Sequence, residues 1–76
     1  MITVKLFGLL RIESGIKEKQ MEAASVKEVL HQLCDAGISK KELSGCVIFV
    51  NGESANKRRK LHDGDLVVLM PPVAGG

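Results

Sequence analysis

The sequence predicts an α+β domain: a mixed sheet of four to five strands, one helix packed on one face, and an extended C-terminal tail. Three observations carry this expectation. Apolar strand-like segments stand near the two ends of the chain, in residues 2–10 and 66–70. One amphipathic helical pattern with both ends marked lies between them. The final residues, 71–76, begin with Pro71-Pro72 and finish with Gly75-Gly76, a segment that has lost two ladder donors and must leave the sheet.

Each element follows from local chemistry. In residues 2–10, Ile2, Val4 and Leu6 fall on one face and Thr3, Lys5 and Phe7 on the other, the period-two pattern of a half-buried strand, with Gly8 placed to bend its end. Residues 11–15 read as a turn punctuated by Ser14-Gly15. Residues 16–23 form a more polar strand suited to a sheet edge. Ser25 followed by Glu28 makes a capping box. Val26, Val29, Leu30, Leu33 and Cys34 then recur at helical spacing as one apolar stripe, and Gly37 stands where a glycine ends a helix. Residues 38–45 read as a connection with Lys40, Lys41 and Glu42 in solvent. Residues 46–50 are a compact apolar run closed by Asn51-Gly52, a strand followed by a hairpin turn. Residues 53–60 are polar, with at most a short edge strand, and residues 62–65 turn tightly into the last strand.

The order strand, strand, helix, strand, short strand, strand is that of the β-grasp, or ubiquitin-like, arrangement. It places the first and last strands side by side at the centre. The domain is expected to occupy residues 1–70 and the tail residues 71–76. A single helix covers only one face of a sheet, yet the last strand is apolar at every position and Phe7 lies opposite the Ile2-Val4-Leu6 face. Strands buried on one side alternate, whereas those buried on both sides read as continuous apolar runs. Apolar surface is therefore expected on the uncovered face, and a contiguous patch of that kind marks a docking site.

Composition excludes several classes. The chain has 76 residues, 45% hydrophobic and 26% charged, which suits one small folded domain rather than a disordered segment. No apolar run approaches the ~20 residues of a membrane span. The first residues lack the basic start and apolar core of a signal peptide, so a cytoplasmic location is expected. A net charge of +2 and an aromatic content of 3% argue against a nucleic acid partner. Two cysteines make no disulfide framework, and their spacing gives no metal site. His31 and His62 suggest no triad. Cys34 and Cys46 read as buried structural thiols, with a sulfur-relay role for Cys46 as the lesser alternative. An enzyme with its own active site is not expected, nor a bound cofactor or metal.

The chemistry concentrates at the end. Pro71-Pro72 keeps the backbone extended, and a pre-extended segment loses less entropy on docking. Val73 and Ala74 lead to Gly75-Gly76, which bring two residues without side chains to the carboxylate and let the chain thread a narrow channel. That carboxylate is ionised at neutral pH and can attack an activated phosphate to give an acyl-adenylate, provided an enzyme supplies ATP and a metal ion. Residues 57–60, Lys57-Arg58-Arg59-Lys60, form the one charge run, a solvated loop or a patch that steers the chain toward an acidic partner.

The sequence resembles the small, sulfur-carrying subunit of molybdopterin synthase, within the ubiquitin-like sulfur carriers that include the thiamine-thiazole carrier. The resemblance runs from Val4-Lys5-Leu6-Phe7-Gly8-Leu9-Leu10-Arg11, through Val50-Asn51-Gly52-Glu53 and Leu61-His62-Asp63-Gly64-Asp65, to Pro71-Pro72-Val73-Ala74-Gly75-Gly76. It implies that a ubiquitin-activating-like adenylyltransferase charges Gly76. A sulfur donor, such as a cysteine desulfurase or rhodanese, then converts it to a thiocarboxylate. The large synthase subunit would receive the tail, and sulfur would pass to cyclic pyranopterin monophosphate. Phe7, Leu61 and Met70 match apolar positions that face the large subunit in this family, Met70 standing where an aromatic is common. The alternatives are sulfur delivery to thiamine thiazole, a tungsten-pterin or another pathway, a modifier joined to lysines by isopeptide bonds, and an interaction domain with an inert tail.

Overall fold

The computed structural model describes residues 1–71. Strand β1 (Ile2–Leu6) pairs antiparallel with β2 (Glu18–Met21) and parallel with β5 (Leu66–Met70). On its other side β5 pairs antiparallel with β3 (Val47–Val50), which pairs in turn with β4 (Glu53–Ala55). The sheet order is thus β2-β1-β5-β3-β4, with β5 at the centre and β1 beside it, as the strand order of a β-grasp requires. The polar β2 lies at an edge.

Helix α2 (Val26–Asp35) crosses one face of the sheet, and its Val26, Val29 and Leu33 are fully buried. They pack into one core with Ile2, Val4 and Leu6 of β1 and with Val67 and Leu69 of β5. Both ends of α2 are fixed by the residues that mark them in the sequence. Ser25 Oγ accepts from the Glu28 amide at 3.4 Å. At the other end the Ile38 amide reaches the Leu33 carbonyl at 3.1 Å and the Gly37 amide reaches Cys34 at 3.0 Å. This paired closure needs a left-handed residue, and Gly37 supplies it at φ 105°.

Two further helices depart from the expected single one. Residues 9–14 form α1 (Leu9–Ser14), where a strand end and a turn were expected, and α3 (Lys40–Ser44) stands within the expected connection. Each contributes one anchor to the core, Leu10 and Leu43 respectively. One buried residue in five or six gives no helical periodicity to read, so burial rather than amphipathic pattern holds these turns in place.

The two tight turns at one end of the sheet are joined by a single carboxylate. Asn51 (φ 51°) and Gly52 (φ 85°) form the two-residue connection between β3 and β4. Asp65 accepts from the His62 amide and from Asn51 Nδ2, at 2.8 and 2.9 Å, and Asn51 Oδ1 accepts from the Leu66 amide at 2.9 Å. The His62 amide and then the Asn51 amide group hold the Asp65 carboxyl below its ordinary pKa of 3.8. A depressed carboxylate contributes stability that is present above its unfolded pKa and lost as pH falls through the folded one. Melting temperature measured against pH should therefore drop below about pH 4. That acid limb should be shallower in Asp65→Asn, whose neutral amide has no such proton to take up.

Candidate functional site

The site is set by the direction of two strands. Because β1 and β5 run parallel, in the register Thr3↔Leu66 to Leu6↔Leu69, both finish at the same end of the sheet. The Phe7 amide donates to the Leu69 carbonyl at 3.1 Å and closes that ladder. Pro71 has no amide hydrogen, so pairing cannot continue past Met70. Pro71 instead seats on Gly8. A Cβ built on Gly8 would stand 2.6 Å from Pro71 Cγ and 3.0 Å from Cδ, and Gly8 also holds φ +63°. Glycine is required there twice, for close approach and for a left-handed backbone. Pro71, the first residue of the expected tail, thus packs against the folded body. With Leu9, Leu10 and Cys46 it lines a groove of about 380 Å³ between α1 and α3. Pro72, Val73, Ala74, Gly75 and Gly76 lie outside the described residues.

The second component is the sheet face that α2 leaves bare. Val47, Phe49, Val68 and Met70 alternate with the core residues of β3 and β5, and Phe7 continues the alternation of Thr3 and Lys5 beyond β1. Register places Val47 opposite Met70 and Phe49 opposite Val68. Phe7 and Met70 are each 40% exposed and Val47 is 37% exposed. The mismatch between one-sided cover and two-sided apolarity is therefore resolved by leaving an apolar surface in solvent, next to the point where the tail departs. Leu9 and Ile12 of α1, 63% and 75% exposed, stand at the same end of the sheet.

Leu61 corrects an expectation. It is 7% exposed and packed in the core, and its amide donates to the Ala24 carbonyl at 2.9 Å. The turn at residues 62–65 is polar and solvated, and the residue entering it turns inward to join the core.

The charge run also has a role that its side chains did not announce. The main-chain carbonyls of Arg59 and Lys57 accept from the Val26 and Lys27 amides at 3.0 and 3.1 Å, satisfying the first turn of α2. Arg59 pairs with Glu53 at 3.2 Å, while Lys57, Arg58 and Lys60 reach solvent.

The remaining candidates hold no reactive arrangement. Cys46 donates its thiol to the Glu42 carbonyl at 3.1 Å, and burial, then the Glu42 carboxylate, push its pKa up. That favours the protonated thiol over the nucleophilic thiolate. Among the described residues no group of three His, Cys, Asp or Glu side chains could hold a metal. Nor is any helix among them long and apolar enough to cross a membrane.

A central strand that ends in Pro71 seated on Gly8, beside a bare apolar sheet face, is the arrangement with which known proteins can be compared. The sequence matches the ThiS family over residues 4–76. The chain belongs to that family. ThiS-family proteins and the MoaD-like proteins among its structural neighbours are small ubiquitin-like sulfur carriers. The fold is similar to small archaeal modifier protein 1 of Haloferax volcanii, at 25% identity and TM-score 0.84, covering 99% of this chain and 98% of that one. It is similar at 30% identity and TM-score 0.76 to a chain in the complex of molybdopterin-converting factor subunits 1 and 2 from Helicobacter pylori, covering 99% and 97%. It is also similar to a chain of the BexX/CysO complex of Amycolatopsis orientalis, at 26% identity and TM-score 0.74, with both chains fully covered at 100%. No curated protein sequence gives a significant match.

Two substitutions test the geometry. Gly8→Ala should destabilise the ThiS-family domain by at least the ~1–2 kcal/mol of a left-handed non-glycine residue, with the Pro71 clash added, and lower the melting temperature accordingly. Leu61→Ala should cost about 2 kcal/mol or more in the isolated chain, the penalty of a core cavity, whereas truncation of a solvent-facing contact residue would leave the melting temperature nearly unchanged.

Proposed function

We propose that this chain carries sulfur as a thiocarboxylate on Gly76 and acts as the small subunit of molybdopterin synthase, donating that sulfur to cyclic pyranopterin monophosphate. The observation that carries the proposal is the pairing of a Gly-Gly tail with a rigid root: Pro71 seated on Gly8, at the end of the central strand and beside the Phe7–Val47–Met70 face. Likeness to a chain in a complex of two molybdopterin-converting factor subunits supports it.

The chemistry requires two partners before the acceptor. An adenylyltransferase binds ATP, and the Gly76 carboxylate attacks its α-phosphorus, forming the acyl-phosphate bond and releasing pyrophosphate. The terminal sulfur of a donor persulfide then attacks the acyl carbon and displaces AMP, and a second thiol cleaves the resulting acyl disulfide, freeing the thiocarboxylate and itself ending in a disulfide with the donor. The acceptor is the large subunit, whose cavity takes the tail and shields the sulfur nucleophile from water. Phe7, Met70 of β5 and Val47 of β3 form the contact surface around the cavity mouth. The described residues contribute position and recognition to this scheme, not acid, base or nucleophile.

A second use of the same carrier is favoured by specific likenesses. The CysO chain shares 26% identity with this one, and the archaeal modifier gives a TM-score of 0.84. Met70 in place of an aromatic also suits a different acceptor, since methionine adapts to pockets of varied shape. Delivery to another sulfur pathway, or attachment to lysines, would use the same activated terminus.

Intact mass measurement of the protein from its native host distinguishes these. Replacement of one oxygen by sulfur at the C-terminus supports the carrier, and conjugates to other proteins support the modifier. Conversion of the pyranopterin precursor by the thiocarboxylate form with a candidate large subunit identifies the synthase role. Deletion of Gly76 should abolish adenylation without changing the circular dichroism spectrum, and normal activation of the shortened chain would overturn the proposal. Phe7→Asp or Met70→Asp should weaken large-subunit binding about tenfold or more, a loss of ~1.4 kcal/mol or greater by titration calorimetry.

A further inference from the structure

The positive charge of the chain is not spread evenly. Lys27 of α2, Lys40 of α3, and Lys57, Arg58 and Lys60 of the loop over the α2 start are all exposed. Among the described residues none of the five stands in an ion pair. The carboxylates on the same face are Glu28 and Asp35. That local excess exceeds the +2 of the whole chain, so the rest of the molecule carries a slight negative charge. The main chain of this loop is committed to capping α2, which spends the carbonyls but leaves the cationic side chains free.

These cations border a groove of about 490 Å³ between α2, α3 and β3. Its floor is apolar, built from Leu30, Cys34, Leu43, Cys46 and Ile48, and Lys27, Lys40 and Lys57 stand at its rim with His31, Asp35 and Ser44. Ile48 faces the helix side of the sheet, so the groove lies on the face opposite Val47 and Met70. Lys27 and Lys57 also line the neighbouring basic groove with Arg58 and Lys60, which makes the two one continuous surface.

We propose that this helix-side groove is a second protein-docking surface, for a partner segment that carries carboxylates around an aliphatic or aromatic anchor. The anchor fills the Leu30–Leu43–Ile48 floor and the carboxylates meet Lys27, Lys40, Lys57 and Arg58. Charge complementarity selects the acidic partner, and the apolar floor supplies affinity that charge alone does not. Because the groove and the Phe7–Met70 face lie on opposite sides of the sheet, both can be occupied together. A protein can hold the carrier by one side while its other side and its tail are engaged elsewhere. The proposal does not depend on which sulfur pathway the tail serves.

The test uses the full chain and a fluorescein-labelled peptide of alternating Glu and Leu residues, with a poly-Glu peptide and a single-stranded oligonucleotide as controls. The Glu-Leu peptide should bind with an affinity that falls with salt. Amide shift changes should map to α2, α3 and residues 57–60 rather than to Val47 and Met70. The double variant Lys57→Glu with Arg58→Glu should weaken binding about tenfold or more, ~1.4 kcal/mol or greater. Lys40→Glu, on the opposite wall, should weaken it as well, and both variants should keep the wild-type melting temperature because the α2 cap uses main-chain atoms. Absent binding at low salt, shifts confined to the Val47–Met70 face, or unchanged affinity in both variants would each overturn the proposal. Equal or tighter binding of poly-Glu or of the oligonucleotide would also overturn it, the first by removing the apolar anchor and the second by assigning the surface to nucleic acid. None of these outcomes bears on whether Gly76 is adenylated, so the two proposals fail separately.

Discussion

The parallel pairing of β1 with β5 is the constraint from which the rest of the structure follows. A parallel pair cannot be closed by a hairpin and needs a long crossover, here supplied by α1, β2, α2, α3, β3 and β4. That crossover must return the chain to the centre of the sheet, and it brings α2 across one face as it does so. With β5 central, the chain leaves the domain from its most firmly held strand, flanked on both sides by ladders. Gly8 and Pro71 then fix the first step of departure. The chain therefore passes beyond Pro71 from a defined point, the corner where Gly8 and Pro71 meet.

The same crossover divides the surface into unlike halves. The covered side of the sheet carries the helix, the basic loop and the apolar groove between α2 and α3. The bare side carries Val47, Phe49, Val68 and Met70, with the Lys5–Glu18 pair at 3.8 Å across the neighbouring β1 and β2. Leaving such residues in water forgoes burial of roughly 25 cal/mol per Å² of apolar surface, a loss that association with a partner recovers. A chain of this size has little other surplus, and it holds its edges with polar strands, β2 and the three-residue β4.

Much of this was legible in the amino-acid pattern. Alternation in Ile2-Thr3-Val4-Lys5-Leu6 located β1, Ser25 and Gly37 bracketed α2, and Asn51-Gly52 placed the hairpin. The conflict between one helix and a two-sided apolar strand pointed to the bare face before any coordinate. What escaped were α1 and α3, whose single anchors produce no period. Yet Ser39-Lys40-Lys41-Glu42 carries its own start signal, and Ser39 Oγ does accept from the Lys41 amide at 3.2 Å. Leu61 was misplaced because an apolar residue beside a polar turn looks the same whether it points in or out, and only its burial in the folded chain decides. The capping role of residues 57–60 was hidden for a different reason: it uses carbonyl groups, which every residue has, so no side-chain pattern could signal it.

The contact between Gly8 and Pro71 has a consequence for how the family can change. The two positions lie at opposite ends of the chain, yet a Cβ at the first would collide with the ring of the second. A side chain at the first would dislodge the second, and a residue with a free amide at the second would restore a donor that the ladder lacks there. Drift at this corner therefore has to proceed by paired replacement, and a lineage that abandons one of the two should be found to have reshaped the other.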